Sequence, residues 1–182
     1  LPENQIMGSG TILDTARLRY GLSEHFQVAQ GNIHAYVFGE HGDTSFIPWT
    51  GAYISGLSTD EYYEEMKAHG KDVKPLDKEA MLEYVQKSGG KVIAKKGATF
   101  YAVSATVCQL VGLILAASDS LATVSSMLHG EYGIEDVCLS TLTLVGPNGT
   151  QGKVQMRMNK EEIALLKKSA DALKEVIAQI EL

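Results

Sequence analysis

His41 stands in Gly39-Glu40-His41-Gly42-Asp43-Thr44, a histidine between acids and flanked by glycines, directly after the apolar run Ala35-Tyr36-Val37-Phe38. An imidazole titrates near neutrality, so it can give and take a proton under ordinary conditions. Glycines beside it let backbone or ligand approach closely. Upstream, Leu13-Asp14-Thr15-Ala16-Arg17 supplies a carboxylate and a guanidinium three residues apart, on one face of a helix. A carboxylate that meets His41 would fix its tautomer and raise its pKa. Arg17 could hold a substrate carboxylate through two parallel hydrogen bonds. The chemistry would be reversible proton transfer to a carbonyl beside an anchored carboxylate. The plainer alternatives are a surface ion pair for Asp14 and Arg17 and a surface turn around His41. Arg19 lies about 200° around the helix from Arg17, so the two arginines cannot serve one site.

These residues need elements that bring them together. A first helix is predicted from about Thr11 to Glu24, and a strand at Ile33–Phe38, where apolar residues alternate. A helix followed by a returning strand can place His41 against Asp14. Beyond the Gly39–Asp43 loop, Phe46-Ile47 reads as extended and Pro48 as opening a helix toward Gly56. Ser58 and Glu61 form a capping box for an acidic helix ending near Gly70. A long helix should run from about Asp77 toward Lys96. Gly89-Gly90 inside it costs about 1 kcal/mol per glycine against alanine, so a kink or close packing is expected there. Ala98–Ala117 reads as a buried helix. Ala122–Leu128 and Val137–Val145 read as paired strands around Gly130–Gly133, with a third strand at Val154–Met158 after the turn Gly146–Gly149. Asn159 and Glu162 cap a closing helix whose apolar stripe is Ile163, Leu166, Ala170, Leu173, Ile177 and Ile180. The implied class is α+β, one domain over residues 1–182, with a largely antiparallel sheet packed against long helices.

Composition narrows the function. The chain has 182 residues, 45% of them hydrophobic, and a net charge of −6. A nucleic acid or an anionic membrane therefore has no electrostatic attraction to it. The longest apolar stretch, Val103–Ala117, is shorter than the ~20 residues that span a bilayer. Two cysteines without CxxC spacing and an N-terminus without signal-like features suit a reducing, cytoplasmic setting. His25, His34 and His41 match no common metal-ligand spacing, so no metal site is expected. Gly8-Ser9-Gly10 fails as a dinucleotide fingerprint because Leu13 occupies the place of the third glycine. Gly146 to Lys153 fails as a phosphate loop, since its spacing is one residue too long and Val154 stands where Ser or Thr is needed.

Taken together, Gly8–Tyr20, Gly39–Thr44, Lys96–Tyr101, Gly130–Ile134 and Gly146–Gly149 resemble the bacterial L-lactate dehydrogenase family, in its order and close to its spacing over nearly the whole chain. The resemblance covers the family's C-terminal, substrate-binding half. It implies a lactate/malate dehydrogenase C-terminal-domain-like fold and the interconversion of pyruvate and L-lactate with NAD. His41 would be the proton donor and acceptor, Asp14 its orienting carboxylate and Arg17 the substrate-carboxylate ligand. Thr99 would line the substrate pocket, and Ser9 and Val103 the nicotinamide pocket. Arg19 and His34 match the pair that binds fructose 1,6-bisphosphate at a subunit interface in allosteric members; the alternative is two ordinary surface residues, against which the presence of both counts. A homo-oligomer, tetrameric in the parent enzyme, is implied. The NAD-binding Rossmann half and a mobile loop with a further arginine are expected to lie outside these residues, leaving the isolated chain without turnover. A malate or other L-2-hydroxy acid dehydrogenase domain is the alternative substrate reading. A non-catalytic oligomerisation and sugar-phosphate-binding module is the alternative of another class.

Overall fold

The computed structural model describes residues 1–116 and 118–180. Five helices, α1 (Ile12–Phe26), α2 (Thr59–Ala68), α3 (Lys78–Lys96), α4 (Tyr101–Leu115) and α5 (Lys160–Ile177), surround three small sheets. The strands are β1 (Ile33–His34), β2 (Tyr53–Ile54), β3 (Leu57–Ser58), β4 (Ser120–Ala122), β5 (Ser125–His129), β6 (Glu135–Ser140), β7 (Thr143–Gly146) and β8 (Gly149–Lys153). They form the sheets β1-β2-β3, β4-β7-β8 and β5-β6, and every pairing is antiparallel. The α+β class with antiparallel sheets against long helices is the class expected.

α1 is the central element. Leu18, Leu22 and Phe26 recur at helical spacing and are buried with Ile33, Val37, Ile54 and Val85. A second core joins Phe38, Phe46, Leu128, Leu139 and Leu166, tying α5 to the β5-β6 ribbon. Both predicted capping boxes form, Ser58 with Glu61 and Asn159 with Glu162. Each pairs a cap oxygen with a backbone N–H three residues on, and answers it with the acid's carboxylate.

Several expected elements differ. Only Ile33–His34 of the predicted strand 33–38 pairs in a sheet. Val37 N donates to Thr15 Oγ1, Thr11 Oγ1 donates to the Val37 carbonyl and Arg19 Nε to the Ala35 carbonyl. Side chains of α1 thus satisfy backbone that a neighbouring strand would otherwise pair. Pro48 opens a 3-10 turn, Trp49–Gly51, and then the β2-β3 hairpin, not a helix. The two predicted long strands each split in two. Backbone at Thr123 and Ser125 turns aside to Thr11 and Gly8, so β4 pairs with β7 while β5 pairs with β6. The third strand lies earlier than expected, at Gly149–Lys153. Residues 154–158 are irregular, anchored by Val154 N to the Leu142 carbonyl.

α4 carries the largest discrepancy. It is apolar as predicted, yet only Thr106 and Leu110 are buried. Val107 and Val111 are each 46% exposed and Leu115 is 80% exposed. Residue 117, where the predicted helix ends, lies outside the described residues. An apolar helix face of this extent marks a surface made to be covered. Likewise, the α5 stripe is buried at Leu166 and Ala170 but exposed at Ile177 and Ile180. Among the described residues, no helix is long and apolar enough to cross a membrane.

Candidate active site

Asp14 lies in the first turn of α1 and is 4% exposed. There the unpaired N–H groups of the helix end favour a negative charge. Its carboxylate is shared: Oδ1 accepts from Arg17 Nη1 at 3.1 Å, and Oδ2 lies 2.6 Å from His41 Nδ1. A carboxylate only accepts, so Nδ1 carries the hydrogen and Nε2 is left free for another partner. The buried carboxylate has two cationic partners, a necessary arrangement because an unpaired buried charge is costly. Asp14 and Arg17 are therefore no surface ion pair. The Asp14 hydrogen bond raises the His41 pKa above its ordinary 6.5, outweighing the partial burial that pulls it down; Arg17 lowers it and Glu40 raises it by smaller amounts.

The loop carrying His41 is built to hold this geometry. Phe38 and Phe46 exchange backbone hydrogen bonds at 2.9 and 3.0 Å and close its base. Gly39 has φ +97°, and a Cβ there would lie 2.7 Å from Ser169 Oγ, so the position demands glycine. From α5, the buried Ser169 Oγ accepts from Glu40 N at 2.8 Å and pairs with Thr44 Oγ1 at 2.9 Å. From α3, Gln86 Nε2 donates to the Ser45 and Asp43 carbonyls. Two helices thus pin the loop. Neither Gln86 nor Ser169 was a candidate in the sequence; both are ordinary residue types whose partners are remote in the chain, and no local signal marks them.

Asp14, Arg17 and His41 line a cleft of about 420 Å³ together with Leu13, Gln86, Gly89, Gly90, Ile93, Thr99 and Val103. Thr99 and Val103 therefore fall where the candidate chemistry is. Ser9 lines a separate groove that His41 also borders. Its neighbour Gly10 sits so close to Thr123 and Ser125 that a Cβ would approach their backbone within 2.7 Å. Gly8–Gly10 thus docks on β5, which accounts for these glycines without a dinucleotide. Arg19 lies elsewhere, over the Tyr36 ring and lining a second cavity with Gln30 and Gln109. His34 is exposed on β1, and no hydrogen bond joins it to Arg19 among the described residues. Among these residues no three His, Cys, Asp or Glu side chains gather as a metal site would require.

The shared carboxylate has a measurable consequence. A group whose folded pKa is raised contributes stability that is complete below its unfolded pKa and lost as pH rises through the folded value. Asp14→Asn therefore lowers the His41 pKa, followed by the ring-proton shifts in an NMR titration. It also narrows the stability gap to the wild type as pH rises from 6.5 through the raised value. An unchanged His41 titration would dismiss the pairing.

Comparison with known proteins agrees with this architecture. Residues 11–181 match the family described as lactate/malate dehydrogenase, alpha/beta C-terminal domain. The chain is 44% identical to L-lactate dehydrogenase of Acetivibrio thermocellus, over all of its own length and 56% of that protein's. It is 42% identical to L-lactate dehydrogenase 1 of Clostridium acetobutylicum, over 98% of its length and 56% of that protein's. Among solved structures it superimposes on L-lactate dehydrogenase from Clostridium thermocellum with a TM-score of 0.88 at 34% identity, covering 100% of this chain and 58% of that one. On the minor L-lactate dehydrogenase from Enterococcus mundtii the TM-score is 0.91 at 30% identity, covering 100% and 57%. The chain thus spans somewhat more than half the length of the relatives it matches, and it belongs to the lactate/malate dehydrogenase family as that family's α/β C-terminal domain.

Proposed function

We propose that this chain is the substrate-binding and proton-transferring half of an NAD-dependent L-lactate dehydrogenase. The observation that carries the reading is the single buried carboxylate of Asp14, which holds both His41 and Arg17 at one cleft. Arg17 binds the 2-oxo acid carboxylate through its guanidinium fork. His41 Nε2 gives its proton to the carbonyl oxygen of pyruvate and recovers it from the hydroxyl of lactate in reverse. Asp14 stabilises the imidazolium before the transfer and fixes the tautomer after it. When bound, NADH supplies the hydride to the carbonyl carbon. Ser9 and Val103 would flank its nicotinamide end; each borders a cavity that His41 also lines. Thr99 lines the substrate cleft.

Arg17 is the one arginine or lysine among the residues lining the cleft, beside the titratable His41. The apolar face of α4 is one that the cofactor-binding half or another subunit would cover, and a homo-oligomer is part of this reading. Cys108 and Cys138 are both free and exposed, which suits the reducing cytoplasm. Arg19 and His34 remain the place where fructose 1,6-bisphosphate would act.

NADH oxidation with pyruvate, with and without fructose 1,6-bisphosphate, tests the reading. The 182 residues alone are expected to show no turnover, because hydride transfer needs the cofactor positioned against the substrate carbon. A full-length dehydrogenase carrying this domain is expected to reduce pyruvate. Failure of that protein to turn over pyruvate would reject the proposal.

A further inference from the structure

Arg17 borders two cavities. One is the cleft it shares with His41; the other, of about 380 Å³, shares both Arg17 and Thr99 with that cleft. α3 runs unbroken through Gly89 and Gly90, where the sequence predicts a kink or close packing. It passes Arg17 there, since a Cβ on Gly89 would lie 3.7 Å from the guanidinium. Beyond this point Lys91 and Lys96 line the second cavity, together with Tyr84, Phe100 and Tyr101. Among the described residues no Asp or Glu lines it, whereas the His41 cleft holds Asp14 and Asp43. The whole chain carries a net charge of −6, so this cavity reverses the charge of its surroundings. The cations are also free of internal pairing. Among the described residues neither lysine forms a salt bridge, and Glu83, further back on α3, is bonded to Lys87. Lys96 Nζ lies 3.5 Å from the centre of the Tyr101 ring and 4.3 Å from that of Phe100. Ring faces hold an ammonium in place without neutralising it. A helix C-terminus favours basic residues, which accounts for Lys95 and Lys96 in the last turn of α3. That preference does not reach Lys91, five residues before the helix end.

We infer that this second cavity is an anion-docking site, in which Lys91 and Lys96 collect the carboxylate of the incoming 2-oxo acid beside Arg17. The inference rests on the dehydrogenase reading above and adds two substrate-collecting residues to it. Neither lysine lines the cleft that holds His41, so neither takes part in proton transfer. Their field raises the local concentration of small anions next to Arg17. An ammonium is a strongly hydrated point charge and holds a carboxylate loosely, whereas the guanidinium fork can hold it with two parallel bonds. Transfer from the lysines to Arg17 therefore runs from the weaker holder to the stronger one.

The test measures kcat and KM at saturating NADH in a full-length dehydrogenase carrying this domain, with pyruvate and with the uncharged pyruvamide, at low and high salt. Lys91→Gln/Lys96→Gln is expected to raise KM for pyruvate by about three- to tenfold at low salt, with kcat close to that of the wild type. The wild-type kcat/KM for pyruvate should fall as salt rises, because exposed charges are screened beyond about 10 Å at 0.1 M, and the double variant should flatten that fall. Pyruvamide carries no charge to collect, so its KM should not move. Lys71→Gln/Lys74→Gln removes the same charge from exposed residues between α2 and α3 and should leave KM for pyruvate unchanged. An unmoved pyruvate KM in Lys91→Gln/Lys96→Gln would overturn the inference. So would an equal rise with pyruvamide, which would mean a disturbed cleft, or an equal rise in the Lys71 and Lys74 variant, which would mean net charge alone. Absence of turnover with pyruvate in the wild type would instead reject the dehydrogenase reading itself.

Discussion

His41→Asn in a full-length dehydrogenase carrying this domain lowers kcat for pyruvate reduction by about three orders of magnitude, within the range a positioned general acid contributes. Asparagine can still donate to Asp14 from its amide, so the loop keeps its main tether to α1. The loop's other anchors, Ser169 and Gln86, bond Glu40 N and the Ser45 carbonyl and so do not depend on the imidazole. His41 is itself largely exposed, its side chain 63% accessible. Removing it opens no cavity, and the Tm of the variant should stay near that of the wild type. The loss therefore separates chemistry from folding. Substrate binding, read from KM, should move far less than kcat, because Arg17 and its partner Asp14 remain. The pH dependence adds a sign. Reduction needs the imidazolium, so the wild-type rate is highest below the raised His41 pKa and declines as pH climbs through it. That limb should vanish in His41→Asn, leaving a low and flat profile. A variant that keeps more than a tenth of wild-type kcat would remove His41 from the reaction.

What could be read from residues alone followed the range of the interactions. The two capping boxes depend on side chains three residues apart, and both form where expected. Asp14 and Arg17 share a helix face for the same local reason. Their meeting with His41 is a longer step, but only one helix and one return of the chain separate them. The segment 33–38 shows the limit. Its alternation of buried and less buried residues holds from Ile33 to Val37 and ends at Phe38, which is buried like Val37 before it. Yet Thr11, Thr15 and Arg19 take up its backbone polar groups, and periodicity says nothing about which partner satisfies a carbonyl. α4 shows the same limit in reverse. Its residues are apolar on every side, which identifies something to be buried but not what does the burying. Gln86 and Ser169 were invisible because their contribution lies wholly in long-range contacts with the His41 loop.

Arg17→Lys in the same full-length protein is expected to lower kcat/KM for pyruvate by about a hundredfold or more. A guanidinium can hold a carboxylate with two parallel charge-assisted hydrogen bonds, each worth about 1.5–3 kcal/mol. Lysine retains the charge but loses the fork, so one such bond and its orientation go. Arg17 also has a role inside the protein, because its Nη1 bonds Asp14 at 3.1 Å. Two controls separate the roles. Pyruvamide, which lacks the carboxylate, should lose much less than pyruvate on the same substitution, since only the substrate-binding role distinguishes them. Arg17→Gln removes a positive charge whose field lowers the His41 pKa. His41 should then titrate higher, and the pH limb of the residual reduction rate should move to higher pH. A residue that only steadied Asp14 would give equal losses with both substrates. Unequal losses together with the upward pH shift would place Arg17 at the substrate and at the electrostatic centre of the site, with Asp14 as the shared hinge between anion binding and proton transfer.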